Sequence, residues 1–137
     1  MDDDIAACLG TSSEAWLQQR LQLSREFDAC RTTFVALGDE TRQLIFTALL
    51  ENPRLGMRVG EITERTNLSR PAVSHHLRIL KDAGLIGMHR QGTMNYYYVD
   101  AGRSELLHVK ALVDHICAVM AQAAAEGCPL LESARSR

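Results

Sequence analysis

Five residues, Asn67-Leu68-Ser69-Arg70-Pro71, constrain the middle of this 137-residue chain more than any others. Asn67-Leu68-Ser69 is a tight turn. Ser69 is a natural helix N-cap, and Pro71 falls in the first helical turn, where a missing N–H does little harm. A helix is therefore expected from Arg70 to Ala83, stopped by Gly84. A shorter helix precedes the turn, from about Val59 to Thr66, with Val59 and Ile62 as its apolar anchors. After Gly84 the pattern changes to two short runs rich in β-formers, Leu85–Arg90 and Thr93–Val99, separated by Gln91-Gly92. That reads as a β-hairpin. Tyr96, Tyr97 and Tyr98 alternate across its second strand, so at least one face supports the core.

Short helix, tight turn, capped helix and hairpin, in that order, make a winged helix-turn-helix. The fold class expected is mainly α with a small β-hairpin (α+β). Residues 1–10 hold three consecutive acids and read as a flexible tail. Thr11-Ser12-Ser13-Glu14 fits a capping box. From there Trp16, Leu23, Phe27, Cys30, Phe34 and Leu37 form one stripe at three- and four-residue spacing, predicting a single long helix that Gly38 ends. Arg20 interrupts that stripe. Asp39 caps the next helix, which runs to about Glu51 with Leu44, Ile45, Ala48 and Leu49 facing inward. A last long helix covers about Arg103–Glu126, and residues 128–137 form a second flexible tail. The domain expected is thus 11–127, with a helix at either end of the winged part.

The formal net charge of −2 conceals a segregation. From Arg54 to Thr93 basic residues outnumber acidic ones by four, whereas acids lead by five in residues 1–53 and by one in residues 94–137. A basic reading head flanked by acidic arms suits double-stranded DNA. Within the capped helix Val73, Leu77 and Leu80 must face the core. Arg70, Ser74, His75 and Arg78 fall on another side, able to donate to phosphates or base edges. Ser69 at the helix start and Arg90 and Gln91 at the hairpin complete the candidate DNA contacts. A rival reading is a winged helix that binds a protein partner instead of DNA. No Gly-rich phosphate loop, Gly-x-Ser-x-Gly elbow or His-Glu-x-x-His is present, which argues against an enzyme.

The stretches Phe34–Arg42, Asn67–Ile86, Arg90–Thr93 and Tyr96–Val99 resemble the ArsR/SmtB family of bacterial dimeric repressors, many of which sense metals or thiol-reactive species. The resemblance covers roughly Cys30 to Met120. It implies that Ser74 and His75 enter the major groove and that the first and last helices dimerise. The residues agree on the second point. The last helix is apolar on more than one face, and one small domain cannot cover it. The interface residues expected are Trp16, Leu23, Phe27, Leu112, Ile116 and Val119. The alternative is a monomer whose last helix folds back on the core.

The resemblance also implies an inducer, and the family's metal sites can be tested against this chain. The thiol cluster of the third helix is missing from Met57–Ile62, and the ligand spacing of the last helix fails whether anchored on His115 or on Asp100. A soft metal or metalloid ion remains a candidate cofactor through the thiols; His108 and His115, seven apart on one helix face, form at most a partial ligand pair, and polar residues on an exposed stripe are the commoner case. Of Cys8, Cys30, Cys117 and Cys128, the candidate sensor pair is Cys30 and Cys117, on the two helices expected to dimerise. A regulator without metal or redox inducer is the alternative. The N-terminus lacks a secretory pattern, and Leu106–Ala125 carries Lys110, Asp114 and two histidines, so a cytoplasmic protein with no membrane partner is expected.

Overall fold

The computed structural model describes residues 14–52, 54–100, 102 and 104–125. Six helices and two strands lie among them: α1 (Glu14–Ala29), α2 (Arg31–Leu37), α3 (Glu40–Glu51), α4 (Val59–Thr66), α5 (Arg70–Asp82), β1 (Ile86–Gln91), β2 (Met94–Val99) and α6 (Leu106–Ala125). They form two compact units. One is Cys30–Val109; the other joins the segment ending at Ala29 to the segment beginning at Lys110. The Thr11 capping box, both expected tails, Cys8 and Cys128 lie outside the described residues.

The Cys30–Val109 unit is a winged helix-turn-helix. Its core is aliphatic: Ile45 from α3, Ile62 from α4, Val73, Leu77 and Leu80 from α5, and Leu85 are almost wholly buried. The α3–α4–α5 packing and the hairpin close around them. Asn67 takes the left-handed conformation (φ 57°) that ends α4, an arrangement asparagine tolerates. Ser69 caps α5, its Oγ accepting from the Ala72 N–H at 3.2 Å. Gly38 and the first turn of α3 close the C-terminus of α2. The Gly38 N–H donates to the Phe34 carbonyl (2.8 Å). Arg42 donates through Nε to Ala36 (2.7 Å) and through Nη2 to Val35 (3.2 Å), and Gln43 Nε2 donates to Leu37 (2.6 Å). All four terminal carbonyls of α2 therefore have donors. Asp39 caps α3 by accepting from the Arg42 N–H at 2.9 Å, which holds its carboxyl below the usual carboxylate range.

β1 and β2 pair antiparallel from Ile86↔Val99 to Gln91↔Met94. Met57 adds a third rung on the other side of β2. It exchanges two hydrogen bonds with Tyr97, at 2.8 and 2.9 Å, so the wing is tied to the entry of α4. Gly56 makes this approach possible. Its φ is +129°, and a Cβ there would lie 2.9 Å from the Tyr96 Cβ.

Four expectations need correction. The single long first helix is broken at Cys30 (φ −92°, ψ 3°), just before a β-branched run, Thr32 and Thr33 followed by Val35, that weakens helix propensity. Leu44 is 46% exposed, not inward. The buried face of α3 is centred on Ile45, Phe46, Ala48 and Leu49, and Leu44 lies roughly a third of a turn from that centre. The first strand begins one residue later than expected, because Leu85 is used as core before the pairing starts, and the second begins at Met94, the pairing partner of Gln91. The last helix starts at Leu106 rather than Arg103, where the buried Ser104 accepts from the Leu106 N–H at 3.1 Å.

The second unit pairs α1 with the greater part of α6. His115 Nδ1 lies 2.7 Å from Glu26 Oε2, and that hydrogen bond draws the Glu26 carboxyl below its usual range. Arg20 stacks over the Trp16 ring at 4.0 Å and reaches the Met120 sulfur, so the residue that interrupts the stripe is itself packed. Leu23, Leu112, Val119 and Ala123 are buried, while Leu17, Leu21, Phe27 and Val113 are each 44% exposed or more. By length and composition α6 is apolar enough to cross a membrane. Its Lys110–Asp114 ion pair (3.0 Å) falls within that stretch, where charge is costly in lipid.

Candidate nucleic-acid interface

Helix α5 divides its residues cleanly. Val73, Leu77 and Leu80 turn inward, and Arg70, Ser74, His75, Arg78 and Lys81 stand exposed. The spacing from Arg70 through Ser74 and Arg78 to Lys81 keeps these side chains on one face. No carboxylate pairs with Arg70 or Arg78 among the described residues. The face presents two guanidinium groups, an ammonium, a hydroxyl and an imidazole, which are donors suited to phosphate oxygens and to the acceptor edges of purines. Ser69 is exposed too, but its hydroxyl oxygen is engaged as the helix cap.

The two adjacent histidines have different surroundings. His75 is exposed. His76 is half-buried, with Nδ1 3.5 Å from Arg42 Nη1 on α3. The two rings meet edge to face, their centroids 5.2 Å apart. Neither His76 nor Arg42 is among the candidate contacts read from the sequence. The contact spans 34 positions, and no local pattern announces it.

The wing carries Arg90 and Gln91 to its exposed tip. Arg90 Nε donates to the Gly92 carbonyl at 3.1 Å across the turn, and Gly92 holds φ +65°. On one side of the hairpin His89 stacks on Tyr96 (5.4 Å, 11° between planes) and leans toward Tyr98. On the other side Tyr97 packs against the core. Two arginines outside the candidate contacts share Glu61, and one of them, Arg58, lies beside the wing. Glu61 accepts from Arg58 at 2.9 Å and from Arg54 at 3.2 Å, and Arg58 also reaches the Met94 sulfur. The Glu61 bond raises Arg58 above its ordinary pKa. A cleft of about 440 Å³ is lined by the start of α4, by Arg70 and by Thr93–Asn95 of the wing. The basic character of Arg54 and Arg58 was readable from the segmental charge; the position of Arg58 beside the wing was not.

The candidate interface and sensor residues fall as follows. Trp16 and Ile116 are half-buried, Leu23, Leu112 and Val119 are buried, and Phe27 is 51% exposed. Cys30 is 4% exposed at the α1–α2 junction, and Cys117 is exposed on α6. Among the described residues no group of three His, Cys, Asp or Glu side chains is placed to hold a metal ion. His108 and His115, seven residues apart, each have their own carboxylate: Glu105 at 2.7 Å and Glu26 at 2.7 Å.

Residues 39–87 match the family described as bacterial regulatory protein, arsR family. An HTH-type transcriptional regulator of Methanocaldococcus jannaschii is 38% identical over 74 residues, covering 54% of this chain and 81% of that protein. The transcriptional repressor SdpR of Bacillus subtilis is 44% identical over 64 residues, covering 47% of this chain and 68% of that protein. In three dimensions the chain is similar to reduced HlyU from Vibrio cholerae, with a TM-score of 0.54 and 24% identity over 65% of this chain and 90% of that one. That likeness shows the winged-helix fold.

Proposed function

The chain belongs to the arsR family of bacterial regulatory proteins and is a DNA-binding transcriptional regulator, not an enzyme; on that premise we propose that it is a cytoplasmic homodimeric repressor released from its operator by an inducer. The observation that carries this reading is the exposed face of α5. Arg70, Ser74, His75 and Arg78 stand exposed there without carboxylate partners among the described residues, while Val73, Leu77 and Leu80 turn into the core. Ser74 and His75 read base edges in the major groove, Arg70 and Arg78 bind base edges or phosphates, Ser69 fixes the helix start, and Arg90 and Gln91 meet the flanking backbone from the wing. Similarity to a protein described as a transcriptional repressor supports the sign of regulation. The dimer forms through α1 and α6, with Trp16, Leu23, Phe27, Leu112, Ile116 and Val119 contributed by both copies. The exposed Phe27 and Val113 support this, since apolar surface of that kind favours a partner.

The inducer in this reading is a soft metal, a metalloid or a thiol-reactive species acting at Cys30 and Cys117. The exposure of Cys117 supports access by such a reagent. A second reading, a regulator with no metal or redox inducer, is favoured by the burial of Cys30.

The test is binding to a duplex selected by the protein from random sequence, against an unselected duplex of equal length, across a salt series. Affinity should fall steeply with salt. Arg70→Ala and His75→Ala should each lose about 1–3 kcal/mol of preference for the selected duplex, while Arg90→Ala weakens both duplexes evenly. Equal binding by all three variants and the parent contradicts the assignment. The same titration with arsenite, cadmium, zinc and an oxidant, on the parent and on Cys30→Ser and Cys117→Ser, decides between the two inducer readings.

A further inference from the structure

Arg42 serves as more than a helix cap. Its guanidinium has three nitrogens, and each has an acceptor in reach. Nε and Nη2 take the Ala36 and Val35 carbonyls at the end of α2, and Nη1 faces His76 Nδ1 at 3.5 Å. Its backbone N–H is held by Asp39 at 2.9 Å. The side chain is thereby fixed from α2 and α3 before it meets α5. Because Arg42 can only donate, a hydrogen bond between the two uses the His76 Nδ1 as its acceptor. This contact bears on the ring of a residue whose backbone neighbour, His75, is the exposed imidazole of the reading face. The two rings are also in edge-to-face contact at 5.2 Å.

We propose that Arg42 and His76 are positioning residues for DNA reading: the end of α2 holds Arg42, Arg42 holds His76, and His76 holds His75 in the orientation that contacts a base edge. Neither residue touches DNA in this scheme. The inference rests on the DNA-reading assignment of α5 and deepens it. It separates two contributions to binding. Phosphate contacts from exposed arginines do not depend on the His76 ring, so affinity for any duplex and its salt dependence are set elsewhere. A base contact through one imidazole depends on that ring's orientation, so sequence preference is where a loosened His76 is felt.

The experiment compares the selected duplex with the unselected duplex for the parent, His76→Leu, His76→Asn, Arg42→Lys and the His76→Leu/Arg42→Lys double variant, with thermal unfolding of each. Asparagine places a carbonyl oxygen near the position of Nδ1 and so keeps the acceptor. His76→Leu should cut the selected-over-unselected ratio about five- to tenfold, the scale of one hydrogen bond. The salt slope should stay at the parent's value. His76→Asn should restore most of the ratio, and the double variant should lose little more than His76→Leu alone. The proposal is overturned if His76→Leu leaves the ratio unchanged, if both affinities fall in step with lowered thermal stability, or if leucine and asparagine behave alike. A parent that binds neither duplex overturns the DNA-reading assignment itself and this inference with it, an outcome distinct from a parent that discriminates while His76→Leu does so equally well.

Discussion

The two units of this chain satisfy their apolar residues in different ways. In the Cys30–Val109 unit, Ile45, Ile62, Val73, Leu77, Leu80 and Leu85 disappear almost completely from solvent, and the surface left over is polar where it faces outward on α5. In the α1–α6 unit, two helices of 16 and 20 residues show only Leu23, Leu112, Val119 and Ala123 as buried. Leu17, Leu21, Phe27 and Val113 are each 44% exposed or more. Val35, Leu44, Leu50 and Leu55 stay exposed in the first unit as well, so the difference lies in the core: the first unit closes an aliphatic core around α5, and the described helices of the second bury only a few side chains. A buried leucine in the first unit acts on folding. In the proposed dimer, an exposed phenylalanine in the second acts on association.

The largest expected effect breaks the first side of this contrast. Leu77→Ala removes a side chain with 1% exposure from the centre of the core. It should cost about 2–5 kcal/mol of stability, read by denaturant unfolding. A loss well under 1 kcal/mol would mean that the core is not closed around α5. The second prediction concerns the other side. Phe27→Ser combined with Val113→Ser should shift the protein from dimer to monomer in sedimentation equilibrium. Thermal unfolding of the reading head should change little, since neither residue is buried in the chain. Retention of the dimer by the double variant removes these residues from the interface. The smallest effect is a pH dependence. The folded-state pKa of Glu26 is depressed by its hydrogen bond to His115. A depressed carboxylate contributes stability above its ordinary value, near ~4.3, and that contribution is lost as pH falls through the folded value. Unfolding midpoints of the parent should therefore fall more than those of Glu26→Gln as the pH is lowered from 6 toward 3. Parallel curves would show that the pair adds nothing.

Much of the reading head was legible because its signals are local. Ser69, Pro71 and Gly84 announce the limits of α5 within a few residues of themselves, and the spacing of Val73, Leu77 and Leu80 fixes its inner face. The candidate contacts on α5 followed from that geometry. What the chain concealed was either continuous in pattern or distant in sequence. The apolar stripe runs through Cys30 without interruption, so periodicity alone joined α1 to α2. Leu44 belongs by type to the core and by angle to the surface, a distinction that depends on where α4 and α5 pack. The Arg42–His76 contact and the Met57–Tyr97 bridge span 34 and 40 positions, and each is set by the folded chain rather than by neighbours.

The Met57–Tyr97 bridge has a consequence for how the wing moves. With a rung on either side of β2, Tyr97 has its backbone amide and carbonyl locked to Met57, while the turn at Gln91–Thr93 is exposed. Amide exchange should therefore be graded along the hairpin. The Tyr97 amide should exchange only with opening of the whole head, and the amides at the turn should exchange through local fraying. The hairpin is a finger with a fixed knuckle, anchored beside Met57 and free of that anchor at its tip.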